Sequence, residues 1–279
     1  MKSKTAFVCL SCQQQFPRWS GKCPSCGEWN TLTEERFESS IGSDRTEPAE
    51  LLDLSQIKLR DVGRLKSALK EFDRCLGADE PGIVPGSVVL VAGSPGVGKS
   101  TLLLQVASSI PQSLYFSAEE SLEQLKLRSI RLGIKKDGIL VSAERDVGRL
   151  LAAVRVRQPK LVIIDSIQTV FEQEAAGTPG SLVQVREIVW RLAQFAKQNG
   201  VAFIIIGHIT KEGSIAGPKV LEHLVDAVLY LEGEKRTGLR ILHVEKNRYG
   251  PLDEVGIYQL TASGFEAVAD PGKLFASLI

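Results

Sequence analysis

Eight consecutive residues, Gly93-Ser94-Pro95-Gly96-Val97-Gly98-Lys99-Ser100, match the pattern G-x-x-x-x-G-K-[ST] at every defined position. The chemistry of that spacing is a phosphate cradle: backbone N–H groups of the loop and the positive end of the following helix converge on phosphate oxygens. Lys99 would neutralise the β- and γ-phosphates and the Ser100 hydroxyl would ligate Mg²⁺. The flanks suit the task, because residues 87–92 read as an apolar strand and residues 101–107, opening with Thr101, as a helix. The reading is a nucleoside triphosphate site for ATP and Mg²⁺.

A second reactive set is Cys9-x2-Cys12 and, after ten residues, Cys23-x2-Cys26. Each short turn aims two sulfurs at one point, and two such turns make a tetrahedral Zn²⁺ site. All four positions are Cys, so no ligand position is left for a reaction and the site is structural. A segment this short has too little apolar area to fold alone; the metal would supply the folding free energy, about 10–16 kcal/mol in comparable peptides. The competing readings are a disulfide pair and a redox Cys-x-x-Cys, the latter without a surrounding βαβ unit. Cys75 reads as a small buried apolar residue. Basic charge beside Trp19 and Trp29 suits nucleic acid, although both tryptophans could equally pack the knuckles.

Further carboxylates and cations fall at the ends of apolar runs. Residues 113–117 read as a strand ending in Ala118-Glu119-Glu120-Ser121. A carboxylate there can orient an attacking water; Glu119 is the expected base and Glu120 its alternative, with Ser121 able to cap a helix running from Leu122 to Leu132. Residues 161–164 are continuously apolar, as in a parallel strand buried on both faces, and deliver Asp165 to hold the Mg²⁺ shell. The run 201–207 delivers His208 to the same edge, as a sensor of the γ-phosphate or as a structural histidine. A last strand, 239–245, precedes Lys246-Asn247-Arg248-Tyr249-Gly250-Pro251. These two cations either flank a solvated hairpin or serve a neighbour's phosphates as an arginine finger.

These elements need a scaffold, and composition bounds it. The chain has 279 residues, 43% hydrophobic and 24% charged, ordinary for a soluble globular protein. The expected fold is an α/β P-loop NTPase core with a mostly parallel central sheet, preceded by a small four-Cys zinc-binding module. The expected boundaries are a zinc module at 1–31, an acidic flexible linker at 32–58 and an ATPase domain at 59–279. A net charge of +1 makes no global case for nucleic acid. No apolar run approaches the roughly 20 residues needed to span a bilayer, and five cysteines without a leader segment point to reduced thiols and a cytoplasmic location.

Longer stretches resemble the bacterial RadA (Sms) family of DNA-repair ATPases, relatives of RecA. They are the four-Cys module, the lead-in Glu71-Phe72-Asp73-Arg74-Cys75-Leu76-Gly77, GSPGVGKS, YFSAEES, VIIDSIQT, GHITKEGSIAGPK and KNRYG. The family carries KNRFG, so Tyr249 replaces a Phe. The lead-in departs further from the family's form at Cys75, Ala78, Asp79 and Glu80. The resemblance implies a RecA-like fold in a homo-oligomeric, hexameric ring, moving on single-stranded and branched DNA together with a RecA-type recombinase. It implies that Lys246 and Arg248 act in trans on a neighbour's nucleotide, and that 171–180 and 211–219 are DNA-facing loops. Family members continue into a Lon-protease-like domain, so this chain resembles a truncated member. Two other readings stand beside the motor: a relative of the circadian-clock ATPases acting on protein, and a recruitment adaptor built on the zinc module with slow turnover.

Overall fold

The computed structural model describes residues 4–12, 14–37, 51–56, 63–134, 138–175, 177–208, 221–234 and 238–269. The chain divides into two compact units, 1–60 and 61–279.

The first unit is a small antiparallel ribbon of β1 (Lys4–Cys9), β2 (Gln15–Phe16) and β3 (Leu32–Phe37), in the order β2-β1-β3. Strand β3 pairs along all of β1, from Cys9↔Leu32 to Lys4↔Phe37. This corrects the expected linker start at residue 32: the ribbon runs through Phe37. An acidic, polar stretch reads as a tether, but backbone pairing needs no apolar side chain once the partner strand and the buried Leu32 supply the inner contact. Farther along the expected linker, residues 51–56 hold only a 3₁₀ turn at Leu54–Gln56, and 38–50 and 57–58 lie outside the described residues.

The second unit is a nine-stranded sheet with helices on both faces. Its elements are α1 (Lys70–Leu76), β4 (Val88–Gly93), α2 (Lys99–Ser109), β5 (Ser113–Ser117), α3 (Leu122–Arg131), β6 (Ile139–Ser142), α4 (Val147–Arg157), β7 (Leu161–Asp165), α5 (Leu182–Asn199), β8 (Ala202–His208), β9 (Ala227–Gly233), β10 (Leu239–Asn247), β11 (Val255–Thr261) and β12 (Gly264–Ala267). The strand order is β12-β11-β10-β9-β4-β8-β7-β5-β6. From β9 to β6 every pairing is parallel, whereas β9 to β12 form an antiparallel meander.

Period-2 alternation splits the core between the faces. Val89, Val91, Ile163, Ile204 and Ile206 face the layer that holds Leu102, Leu103 and Val106 of α2. Val88, Leu90, Val162, Ile164, Phe203 and Ile205 face the layer of α4 and α5. Because the central strands are parallel, the loops after β4, β5, β7 and β8 all open at one edge, where α/β proteins place ligands. Strand β10 runs the other way. Its last residue, Asn247, pairs with Ala227 at the start of β9, which puts the 246–251 turn at the opposite edge.

Candidate functional site

The P-loop connects β4 to α2, and its glycines have a steric reason. Gly98, the residue ahead of α2, sits at φ 113°, and a Cβ there would lie 2.8 Å from the Phe265 ring. A Cβ on Gly93 would lie 2.3 Å from the Leu231 carbonyl oxygen. No side chain caps α2, so its first N–H groups are open to an anion. Lys99 is buried and donates from Nζ to the Gly93 and Ser94 carbonyls, at 2.7 and 3.0 Å. Burial lowers its pKa, against the opposing pull of Asp165 and Glu119. Behind the loop, Arg240 of β10 donates from Nε to the Val97 carbonyl at 3.0 Å, and Gln105 of α2 accepts the Phe265 N–H at 2.8 Å. The loop is thus braced from the antiparallel meander.

The carboxylates converge on the same edge. Asp165 ends β7, is buried, and accepts a 2.7 Å hydrogen bond on Oδ2 from the Tyr115 hydroxyl. Its Oδ1 is buried with no hydrogen-bond partner among the described residues. Burial raises its pKa, against the pull of Tyr115 and Ser100. A buried carboxylate with one orphan oxygen, next to the hydroxyl of Ser100, is a donor set that fits a hard divalent cation. Glu119, just past β5, accepts from the Ser166 hydroxyl and lies 3.0 Å from His208 Nε2. Burial pushes its pKa up, but the hydrogen bonds from Ser166 and His208 and the charge of Lys99 outweigh that, leaving it below the ordinary glutamate value. Glu120 points elsewhere, into an ion pair with Arg128 of α3. Ser121 caps α3 in a capping box with Gln124, as its sequence position suggested.

Lys246 and Arg248 are not brought to this site. At the far edge, Lys246 donates from Nζ to the Glu222 and Val225 carbonyls at 2.5 and 3.0 Å, and burial lowers its pKa. Arg248 pairs with the buried Asp226 at 3.2 Å, and the other oxygen of Asp226 caps the first strand N–H of β4, that of Val88, at 2.9 Å. Neither cation can reach the P-loop of its own chain. Of the two loops expected to face DNA, 171–180 is described apart from residue 176, and 211–219 lies outside the described residues.

Tyr115, Ser166, Arg128 and Arg240 escaped the sequence reading. Tyr115 and Arg240 fall inside runs read as strands, and Arg128 inside one read as a helix. Only Ser166 carried a local signal, as a polar residue directly after a strand-end Asp.

In the first unit the sulfurs of Cys9, Cys12, Cys23 and Cys26 all lie within 4.8 Å of one another, with Cys9–Cys26 and Cys12–Cys23 at 3.6 Å. A tetrahedron with Zn–S bonds of about 2.3 Å has corners about 3.8 Å apart, so the set fits zinc. The Thr31 hydroxyl, 3.2 Å from the Cys9 sulfur, lowers the pKa of that thiol.

Residues 77–214 match a family model described as an AAA domain, and residues 7–34 match one described as a rubredoxin metal binding domain. The DNA repair protein RadA of Halalkalibacterium halodurans is 45% identical over 98% of this chain, that of Bacillus subtilis 43% and that of Escherichia coli 42% over the same share. The chain spans 62% of the length of each of these relatives. Among solved structures, a KaiC-like protein from the archaeon Pyrococcus horikoshii OT3 superposes with a TM-score of 0.57 at 20% identity, covering 74% of this chain and 99% of that one. That likeness establishes a RecA/KaiC-like fold for the second unit.

Proposed function

Because this chain belongs to the RadA family of DNA repair proteins, we propose that it is a DNA-dependent ATPase of recombination and repair. The observation that carries the reading is the convergence of Lys99, Glu119 and Asp165 on one sheet edge around an uncapped helix N-terminus. The phosphates of ATP would lie along 93–101. Lys99 exchanges the Gly93 and Ser94 carbonyls for phosphate oxygens. Mg²⁺, held by Ser100 and Asp165, would supply charge neutralisation on the β- and γ-phosphates. Tyr115 holds the Asp165 carboxylate so that its other oxygen faces the site. Glu119, ionised at neutral pH, accepts a hydrogen bond from the attacking water; that oxygen bonds to the γ-phosphorus as the bond to the β-phosphate oxygen breaks. Ser166 fixes the rotamer of Glu119. His208, 3.0 Å from Glu119 at the tip of β8, would report the γ-phosphate state to the residues that follow it.

Arg248 sits too far from its own P-loop to help, so its part lies across a subunit boundary, with Lys246 holding the turn that presents it. That arrangement calls for a homo-oligomeric ring, hexameric by family, on single-stranded or branched DNA with a RecA-type recombinase as partner and a cytoplasmic location. Zn²⁺ holds the first unit, and elemental analysis of protein purified under reducing conditions should find one zinc per chain. The decisive experiment measures ATP hydrolysis with and without single-stranded DNA alongside a sizing measurement. Stimulation in a ring-sized species is expected; turnover indifferent to DNA would overturn the motor in favour of an ATPase acting on protein.

A further inference from the structure

Two of the chain's three tryptophans lie in the first unit, and neither packs its interior. That interior consists of Cys9, Cys23 and Leu32 with Phe7, Cys12 and Phe16 against them. Trp19 is 58% exposed and Trp29 68% exposed. They are neighbours nonetheless. A Cβ added to Gly21 would lie 3.8 Å from Cη2 of Trp19 and 3.9 Å from Cζ3 of Trp29, so both rings border a residue that has no side chain to separate them.

The backbone beneath is fixed. Lys22 and Trp29 pair across an antiparallel bridge, the Cys23 N–H donates to the Glu28 carbonyl and the Asn30 N–H to the Gly21 carbonyl, each at 2.8 Å. These bonds fix the backbone of Trp29 next to Gly21, the residue both rings border. Cations border them: Lys22 Nζ lies 5.6 Å from the Trp29 ring centroid, and Arg18 is exposed directly before Trp19. Glu28 is the one acidic residue between Cys9 and Leu32.

Exposed indoles beside a paired backbone, with cations interleaved, suit stacked bases with phosphates alongside. A protein anchor would instead insert its aromatic into a dry pocket. We infer that Trp19 and Trp29 form a stacking platform for single-stranded nucleic acid, with Arg18 and Lys22 on its phosphates. This rests on the DNA reading above and adds a contact outside the ATPase core.

The test uses the full chain carrying Trp190→Phe, which leaves Trp19 and Trp29 as the only indole emitters. Titration with a 16-nucleotide oligothymidylate at low salt should quench their emission by about half, and a duplex of equal length, its bases already stacked, should quench far less. Trp19→Ala/Trp29→Ala should weaken binding of the labelled oligonucleotide, read by anisotropy, by about tenfold or more, with one zinc per chain retained; Trp19→Phe/Trp29→Phe should recover most of the loss. If the oligonucleotide stimulates ATP hydrolysis while the emission stays flat, the DNA reading stands and the platform is wrong. If it does neither, both fail. Equal quenching by the duplex, or emission that responds only to an added recombinase, also overturns the platform.

Discussion

The two edges of the central sheet each carry a lysine held by two backbone carbonyls, and they differ in what surrounds it. At the P-loop edge, Lys99 rests on carbonyls of its own loop, beside an open helix N-terminus and a carboxylate with an unpartnered oxygen. Those partners are exchangeable, and the unsatisfied groups around them call for a ligand. At the far edge, Lys246 binds carbonyls of a different segment, 222 and 225, and Arg248 is tied to an aspartate that also caps β4. Both cations there have partners within the chain, although the Arg248 side chain is 46% exposed. A cation with exchangeable partners is binding equipment. One with fixed partners is architecture, and only its exposed neighbour is available to another molecule.

Six variants break or sharpen this contrast. Lys99→Ala should abolish ATP turnover and weaken nucleotide binding beyond detection in an equilibrium binding assay, because it removes the lysine ammonium that the P-loop holds for the β- and γ-phosphates. Arg248→Ala should keep ATP binding and cut DNA-stimulated turnover by about 10³-fold or more, as for arginine fingers elsewhere. Mixing it with Lys99→Ala protein should restore part of the activity, since each lesion then falls on a different side of a shared site; wild-type turnover by Arg248→Ala alone would make the far edge purely architectural.

Glu119→Gln should retain nucleotide and lose about 10²–10³-fold in kcat, whereas Glu120→Gln, whose carboxylate is engaged by Arg128, should keep most of it. Ser166→Ala is the finer probe and should cost about tenfold in kcat with little change in KM. The Ser166 hydrogen bond lowers the Glu119 pKa, and Glu119 in the proposed role of base would work only when ionised. The acid limb of the wild-type profile therefore falls below the ordinary glutamate value of about 4.3, and in Ser166→Ala it moves up. A limb that stays put would mean that Ser166 only packs. The smallest effect belongs to Lys246→Met, which strands two carbonyls and should lower unfolding free energy by about 1–3 kcal/mol in denaturant titrations, with Arg248-dependent turnover falling only as far as the turn loosens.

Much of this is legible in the sequence alone. The P-loop spacing, the Cys-x2-Cys pairs, the buried parallel strands with their terminal Asp165 and His208, and the capping role of Ser121 are all local: a few consecutive residues decide them through φ restrictions, thiol reach and apolar run length. Strand β3 was misread as linker because charge composition is a poor guide where pairing is made by the backbone. The two glutamates after β5 are adjacent and chemically alike, so the sequence favours Glu119 as the base but keeps Glu120 as its alternative. They part only because Ser166 and His208 stand on one side and Arg128 on the other.

What the amino-acid order determined by itself is the inventory: a phosphate loop, a four-thiolate site and strands that end in functional groups. Tertiary structure alone decided who meets whom. Tyr115 reaches Asp165 across fifty residues because β5 and β7 are neighbours in the sheet. The 246–251 turn faces away from its own nucleotide site because β10 runs antiparallel to the strands that carry it. Trp19 and Trp29 stand in solvent because Phe7, Phe16 and Leu32 already fill the ribbon's interior. Strand order, strand direction and the competition for a small core are properties of the whole chain, and no local window of residues encodes them.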